Sequence, residues 1–345
     1  MRDRASAQLS GVAALGASAL VFRVFALEAI DLPAARPAQW LSAALGAALA
    51  LPAALPLMRR GRENASPLKG EGWNRRAACL MIFALSLYDA AVSARLFSVL
   101  ATHAALPDHQ ARTLCLSLLA AATPACLMGA GAMSAAGVVW RRVALALGAA
   151  VLLAQAGELT PGWLFPLLGG GSGAVARGAE RAAGHMALTA LNVSLLGEGD
   201  RDAGRKALRS LGLAAALCVG AVLAYDMAVP AMPGMPSGRL FQLEMLAGCG
   251  QNGFAAETIY VLMMAGGMLL VGFEILAACA ALCAALPRLP YWGAAVACGG
   301  LALVLCVSQV SGEAVSAGVG PWLYPVSLVA AGLAALPARR GEAKA

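Results

Sequence analysis

Four ionisable residues stand inside long apolar runs of this sequence, where they could carry an ion, a proton or a charged solute. Asp89 and Arg95 lie in the apolar run 77–102, and Glu257 and Glu274 lie in the run 253–286. A charged residue at the centre of a bilayer costs about 2.5–3.5 kcal/mol on insertion scales, so such residues usually face protein or water. We therefore predict that these four residues form an ion or proton pathway.

The spacing of these four residues limits how they can pair. Asp89 and Arg95 are six residues apart, on different faces of a helix, so each needs a partner from another segment. Glu257 and Glu274 are 17 residues apart, or roughly 25 Å along a helix, which is too far for a carboxylate pair. The structural alternatives are an interhelical ion pair for Asp89 or Arg95, and a protonated Glu274 hydrogen-bonded to a neighbouring helix.

Other kinds of chemistry find little support in the sequence. Cys279 and Cys283 share a helical face, but no further ligand stands near them, so they read as buried thiols rather than a metal site. The nine cysteines fall almost wholly in apolar runs and are predicted to be reduced. No two histidines occupy apolar helix centres, which argues against bound haem. No nucleophile and base occur together, so we predict no enzyme activity and no cofactor.

The elements that position these residues are membrane-spanning helices. Of the 345 residues, 60% are hydrophobic and only 12% are charged, whereas soluble proteins carry about 25% charged residues. Long apolar runs without a barrel's alternation must be helices, because backbone groups cannot stay unpaired in lipid. We predict one integral membrane domain, residues 1–345, of all-α class with ten spans: 9–27, 38–58, 77–102, 112–133, 141–157, 181–197, 208–229, 253–286, 291–310 and 321–337.

The basic residues predict the orientation of these spans. Eighteen of the 25 Lys and Arg residues fall in alternate loops or termini, including Arg141 and Arg142 in the loop after the fourth span. The positive-inside rule places those segments in the cytoplasm, so both termini are predicted to be cytoplasmic. The positive-inside rule then accounts for the net charge of +7, and nucleic acid is not an expected partner.

Several landmarks resemble the spore-germination permease family, the B subunit of nutrient germinant receptors in the amino acid–polyamine–organocation transporter superfamily. The resemblance extends over nearly the whole chain and rests on the order and spacing of its motifs. They are Ala5 to Leu9 with Leu15 to Leu20, Tyr88 with Arg95 to Phe97, Pro166 to Gly171 with Arg177 to Ala179, and Phe254 to Glu257.

The resemblance implies a five-plus-five inverted repeat, with repeat one at about 9–157, an outer loop at 158–180 and repeat two at about 181–337. It also implies that the first and sixth helices are interrupted, which exposes backbone groups that can bind an amino acid. The candidate breaks are Gly16 to Ser18 and Ala182 to Gly184. The implied substrate-binding residues are Gly16, Ala17, Ser18, Tyr88, Ala183, Gly184 and Thr189. Alternatively, the small residues only let helices pack closely.

The function implied by the resemblance is that of a nutrient germinant receptor permease-like subunit. It would bind a small nutrient, an amino acid first of all, between the first, third, sixth and eighth helices in the spore inner membrane or cell membrane. It would then signal germination to other germinant-receptor subunits. The first alternative is an ion-coupled amino acid transporter, and the second is a membrane anchor subunit of a larger complex.

Overall fold

A computed structural model of the chain describes residues 2–23, 38–58, 68, 72–104, 110–154, 157, 159–165, 167–168, 170–197, 201–228, 254–307 and 312–336. These residues form eleven α-helices and two short 3-10 turns, Leu51–Ala54 and Pro161–Leu164. The helices are α1 (Arg2–Phe22), α2 (Gln39–Ala50), α3 (Leu55–Met58), α4 (Trp73–Ala104), α5 (Ala111–Leu127), α6 (Gly129–Ala154), α7 (Ser172–Leu196), α8 (Arg201–Ala228), α9 (Phe254–Ala285), α10 (Tyr291–Val307) and α11 (Gly312–Ala335). With α2 and α3 taken as one span, each of the ten predicted spans overlaps a helix.

Several described helices have the length and composition needed to cross a membrane. Four single stretches are long and apolar enough, namely Gln39–Met58, Trp73–Val99, Asp202–Met227 and Ala265–Ala285. Helix α5 and the first part of α6 together are also long and apolar enough, as a bent pair. Shorter apolar helices are Gln8–Phe22, Tyr291–Val307 and Pro321–Ala335. The prediction of an all-α integral membrane protein is confirmed.

The connection between the fourth and fifth spans lies earlier than predicted. The sequence placed it near Arg141 and Arg142, but both arginines lie inside α6, and the chain turns at Met128 and Gly129. Gly129 has a φ of +82°, a conformation that glycine adopts without a steric penalty. The helices on its two sides are bent by 115°, so a single glycine rather than a basic loop separates them.

The predicted interruptions of the first and sixth helices are absent where the sequence placed them. Gly16 to Ser18 lie within the continuous helix α1, and Ala182 to Gly184 lie within the continuous helix α7. Alanine is the strongest helix former, and both segments stand in alanine-rich surroundings that keep the helix intact. Helix α7 also begins at Ser172, so the second half of the predicted outer loop is helical.

The packing of the helices follows a two-fold pattern that relates α1 to α7, α2 to α8, α4 to α9, α5 to α10 and α6 to α11. Helix α6 packs on α1 and α9, and its counterpart α11 packs on α7 and α4. Helix α4 packs on α10, and its counterpart α9 packs on α5, which is the counterpart of α10. These corresponding contacts are those of the predicted five-plus-five repeat, which is confirmed at the level of the fold.

The same contacts divide eight of the helices into two groups of four. The α1–α2–α7–α8 group is held together by the contacts of α2 with α7 and α8 and of α1 with α7 and α8. The α4–α5–α9–α10 group is held together by contacts between α4 and α9, α5 and α10, and their neighbours. The two groups meet where α1 packs on α9 and where α7 packs on α4 and α9.

A disulfide in the second of these groups corrects the prediction that the cysteines are reduced. Cys115 in α5 is bonded to Cys306 in α10, across 191 residues of sequence. Both stand near helix ends predicted to face outward, where disulfides persist more readily than in the cytoplasm. Cys249 lies outside the described residues, and the remaining cysteines are free thiols: Cys79, Cys126, Cys218, Cys279, Cys283 and Cys298.

Two glycines of α6 provide a test of how α1 and α6 pack. A Cβ added at Gly137 would lie 2.6 Å from Leu15 Cβ and 2.8 Å from Leu15 Cα, whereas one added at Gly131 would meet nothing within 4 Å. We expect Gly137→Ala to lower the stability by about 1–3 kcal/mol, because α1 must move away from α6. Gly131→Ala is the matched control and should be neutral or slightly stabilising. Equal thermal melting temperatures of the two variants in detergent would contradict this contact.

Candidate functional site

Polar side chains from four helices meet in the middle of the structure and form what we call the buried ionic cluster. Its members are supplied by the end of α1, by α4, by α7 and by α9, which are the first, third, sixth and eighth predicted spans. All of them are almost fully buried. The residues are Arg23, Ser86, Asp89, His185, Asn192 and Glu274.

One layer of the cluster is built around Asp89. Arg23, which directly follows α1, donates from Nε and Nη2 to Asp89 Oδ1 at 3.1 and 2.9 Å. His185 Nδ1 lies 3.6 Å from the same oxygen. The side chains of Arg23 and Asp89 are only 4% and 3% exposed, so solvent does little to weaken this ion pair.

The second layer is built around Glu274. Asn192 Nδ2 donates to Glu274 Oε2 at 2.9 Å, and the Ser86 hydroxyl donates to Asn192 Oδ1 at 3.0 Å. Asp89 and Arg23 are close enough to act electrostatically on Glu274, so the two layers are one electrostatic unit. This unit contains two acids, one arginine and one histidine.

Helical periodicity explains why these residues share a face. Ser86 and Asp89 are three residues apart on α4, and His185 and Asn192 are seven apart on α7, which are the spacings of one helical face. Between the latter two, Thr189 donates from Oγ1 to the His185 carbonyl at 2.8 Å. His185 thus lies against Asp89 of α4, and Asn192 lies between α4 and α9.

The structure brings together two of the four residues predicted to form the pathway. Asp89 and Glu274 both belong to the cluster. Arg95 does not, because it lies on a different face of α4, where its Nη1 donates to the Cys306 carbonyl at 3.4 Å. Glu257 lies in the first turn of α9, and its side chain is outside the described residues. The inference that Asp89 and Arg95 need separate partners is confirmed.

The small residues of α1 serve close helix packing. A Cβ added at Gly16 would lie 2.7 Å from Val193 Cγ2 in α7 and 3.2 Å from Phe273 Cζ in α9. Ala17 is buried, and the Ser18 hydroxyl donates to the Ala14 carbonyl at 2.9 Å within its own helix. This geometry matches the packing alternative, since an unbroken α1 presents no free backbone groups at these positions.

The small residues of α7 likewise lie against a neighbouring helix. A Cβ added at Gly184 would lie 3.1 Å from Leu323 Cβ in α11, and Ala183 is fully buried. A Cβ added at Gly16 of α1 would lie 3.4 Å from Thr189 Cγ2, and the Thr189 hydroxyl donates to a carbonyl of its own helix. Tyr88 is half-buried on α4, next to Asp89. The binding role predicted for these residues stays a prediction.

Sequence reasoning missed the basic partners of the two acids. Arg23 lies within the predicted first span, 9–27, and His185 lies near the start of the predicted sixth span, 181–197, but neither position by itself indicates a pairing with an acid. The available signal was the cost of Arg23 in an apolar run, which is as high as that of Asp89. His185 gave a weaker signal, because only the early start of α7 at Ser172 places it in the middle of a helix.

The charges of the cluster are divided between the two helix groups. Arg23 and His185, the members that can be cationic, belong to the α1–α2–α7–α8 group. Asp89 and Glu274, the members that can be anionic, belong to the α4–α5–α9–α10 group. The cluster therefore joins the two groups by attraction between opposite charges, with Asn192 adding a hydrogen bond from the first group to the second.

Aromatic side chains close the cluster beside Arg23. The rings of Phe22 and Phe97 pack edge to face, with centroids 6.3 Å apart, and thus join α1 to α4. Both rings are buried. In this conformation the residues of the cluster are buried, so a solute can reach them only after a movement of the surrounding structure.

Metal ligation has no support in the part of the chain that the structure describes. Within those residues no group of three or more His, Cys, Asp or Glu side chains is arranged to hold a metal ion. The polar atoms of the cluster are instead arranged as an ion pair and a hydrogen-bonded carboxyl.

The fold is similar to that of solved membrane transporters. Mhp1, a nucleobase-cation-symport-1 family transporter in a closed conformation with bromovinylhydantoin bound, aligns with a TM-score of 0.61 at 13% identity, over 91% of this chain and 77% of Mhp1. A mutant manganese transporter from Eremococcus coleocola aligns with a TM-score of 0.54 at 16% identity, over 96% of this chain and 76% of that protein. No protein-family model and no curated protein sequence matches the chain.

These likenesses define the architecture of the chain. Identities of 13–16% establish a shared fold, and the two-fold pattern of helix contacts described above agrees with it. The relatives are membrane transporters and not enzymes, and several helices have the length and apolarity of membrane spans. The chain is an integral membrane protein with the inverted-repeat fold of membrane transporters.

Proposed function

We propose that this protein binds a small zwitterionic solute, an amino acid first of all, at the buried ionic cluster and carries it across the membrane. The observation that carries the proposal is the Arg23–Asp89 ion pair at the junction of the two helix groups. Transporters of inverted-repeat fold bind their substrates near the bilayer midplane, between their repeats.

The chemistry of the exchange favours a zwitterion over other solutes. If the two groups separate, Arg23 and Asp89 each lose a partner of opposite charge, which is costly inside a membrane. A bound amino acid supplies both partners at once, because its carboxylate can face Arg23 and its ammonium group can face Asp89. A solute with one charge would leave one of the two groups uncompensated, and a solute with none would leave both.

A signalling role is the second candidate, and the observation that favours it is the ordered set of motifs resembling germinant-receptor permeases. In that role the same binding event would change the packing of the two helix groups and be read by other receptor subunits in the spore inner membrane. The solute class is the same for both candidates, so the ionic cluster serves either one.

Proteoliposomes distinguish the two candidates. With the full chain reconstituted and the twenty radiolabelled amino acids tested singly, a transporter is expected to accumulate at least one of them when a proton or sodium gradient is imposed. A receptor is expected to show a ligand-dependent rise in melting temperature without accumulation. If no amino acid is accumulated and none changes the melting temperature, the proposed solute class is wrong.

A further inference from the structure

Counting the charges of the buried ionic cluster restricts its protonation states. Arg23 contributes one positive charge and Asp89 one negative charge, and these two cancel. Glu274 adds a negative charge only when ionised, and His185 adds a positive charge only when protonated. A net charge is costly this far from solvent, so the favoured states are neutral ones.

With Asp89 held ionised by its two hydrogen bonds from Arg23, the cluster has two neutral states, and they differ in the position of one proton. In the first, the proton is on Glu274, and His185 is neutral. In the second, Glu274 is ionised, and His185 carries the proton. Among the described residues, the cluster thus retains one exchangeable proton with two alternative sites, one on α9 and one on α7.

Because these two sites belong to different helix groups, the proton also sets the charge of each group. With the proton on His185, the cluster places two positive charges on the α1–α2–α7–α8 group and two negative charges on the α4–α5–α9–α10 group. With the proton on Glu274, each group carries a single charge. The product of the charges differs about fourfold between the two states, and the Coulomb attraction scales with this product.

We propose that one proton, shared between His185 and Glu274, sets how strongly the two helix groups attract one another across the cluster. With the proton on His185 the groups are held closed, and with the proton on Glu274 they separate more easily. This inference deepens the proposed function, because separation of the groups admits solute to Arg23 and Asp89, and it identifies a proton as the coupling ion.

The other titratable groups on the helices around His185 and Glu274 leave this count unchanged. On the side of α9 that packs on α5 and α10, the groups are the thiols of Cys126, Cys279, Cys283 and Cys298 and the phenol of Tyr291, which are neutral when protonated. Arg181 lies one helical turn before His185 on α7, and its positive charge is the same in both states. On α8, Asp226 lies near the far end, where it accepts a hydrogen bond from the Trp40 backbone N–H at the start of α2. Arg95 of α4 faces α10.

The experiment follows the proton by infrared spectroscopy of the full chain in detergent and needs no solute. At about pH 7, where histidine readily changes its charge, Glu274→Gln identifies the band of the protonated carboxyl by removing it. In His185→Gln the proton has only Glu274 left, and that band should grow by about twofold if the two sites are comparably occupied in the natural protein. In Glu274→Gln the imidazolium signal of His185 should be lost.

Asp226→Asn is the matched control, since it removes another buried carboxyl, 2% exposed, that lies outside the cluster. It should leave both signals as they are in the natural protein. If His185→Gln does not fold, His185→Asn replaces it, since it also lacks the second proton site. The proposal is overturned if the Glu274 band is equally strong with and without His185, or if the imidazolium signal persists in Glu274→Gln.

Hydrogen–deuterium exchange reports the attraction between the groups in the same samples. Both Glu274→Gln and His185→Gln hold the cluster at one charge per group, so amides at the ends of α1 and α7 should exchange faster than in the natural protein. Unchanged exchange in both variants would overturn the link between the proton and the closure of the groups. Failure of every amino acid to bind would leave these outcomes intact and would refute only the proposed solute.

Discussion

Arg23→Met is expected to lower the stability of the protein by about 3–5 kcal/mol, because it removes the guanidinium that neutralises a buried carboxylate. In the natural protein, Asp89 accepts two hydrogen bonds from Arg23 and is 2% exposed. Water does not reach the carboxylate to replace these bonds. The effect should appear as a large fall in the thermal melting temperature in detergent.

Removing both charges should be far less harmful than removing one. In Arg23→Met/Asp89→Leu neither a positive nor a negative charge stays behind, and replacing a buried ion pair by apolar groups is often neutral or stabilising. Arg95→Met is the matched control for loss of a basic side chain, because the single 3.4 Å bond of Arg95 lies outside the cluster. A double variant as unstable as Arg23→Met would show that the ion pair is not the source of the effect.

The second large effect concerns binding rather than stability. Arg23→Gln/Asp89→Asn replaces the ion pair by two neutral polar side chains, of which Asn has the length of Asp and Gln is shorter than Arg. We expect the variant to fold, because no unpaired charge stays behind, but to bind its amino acid about 30- to 5,000-fold more weakly, which corresponds to the 2–5 kcal/mol typical of a lost buried charge contact. Titration calorimetry on the solute identified in proteoliposomes measures this change.

The control for this second variant is again Asp226→Asn, which neutralises a buried acid away from the proposed site. It should keep the affinity of the natural protein, whatever its effect on stability. If Arg23→Gln/Asp89→Asn keeps full affinity, the solute does not use the ion pair, and the binding site must lie elsewhere between the helix groups.

The resemblance to germinant-receptor permeases was most useful where it concerned architecture. It implied a five-plus-five repeat and a site between the first, third, sixth and eighth spans, and the ionic cluster is supplied by those four. It was wrong about the interruptions at Gly16 to Ser18 and Ala182 to Gly184, because alanine-rich segments keep the helix intact and the glycines are occupied by close packing. Family motifs therefore predict the order of the helices better than they predict where a helix is interrupted.

The revised roles of the glycines change what a substitution tests. Gly16→Leu would disturb helix packing whether or not Gly16 contacts a ligand, since even a Cβ at this position would lie 2.7 Å from Val193 Cγ2. The variant would push α1 away from α7 and α9 and disturb the cluster indirectly. Substitutions of Arg23, Asp89, His185 and Glu274 are therefore the informative ones.

The sequence by itself determined that the chain is an all-α membrane protein, because scarcity of charge and runs of apolar residues allow no other solution in lipid. It also identified Asp89 and Glu274, since the cost of a buried charge depends on residue type and local surroundings alone. The sequence did not predict the end of α5 at Leu127 or the start of α7 at Ser172, because turns and helix ends depend on single residues such as Gly129.

Only the tertiary structure decided which charges meet. Arg23 and Asp89 are 66 residues apart in sequence and Asn192 and Glu274 are 82 apart, and helical periodicity says nothing about contacts between helices that are distant along the chain. The bond of Cys115 to Cys306 was hidden for the same reason. The pairing of an arginine and a histidine on one helix group with two acids on the other arises from the way the two repeats pack, and this packing exists only in the folded chain.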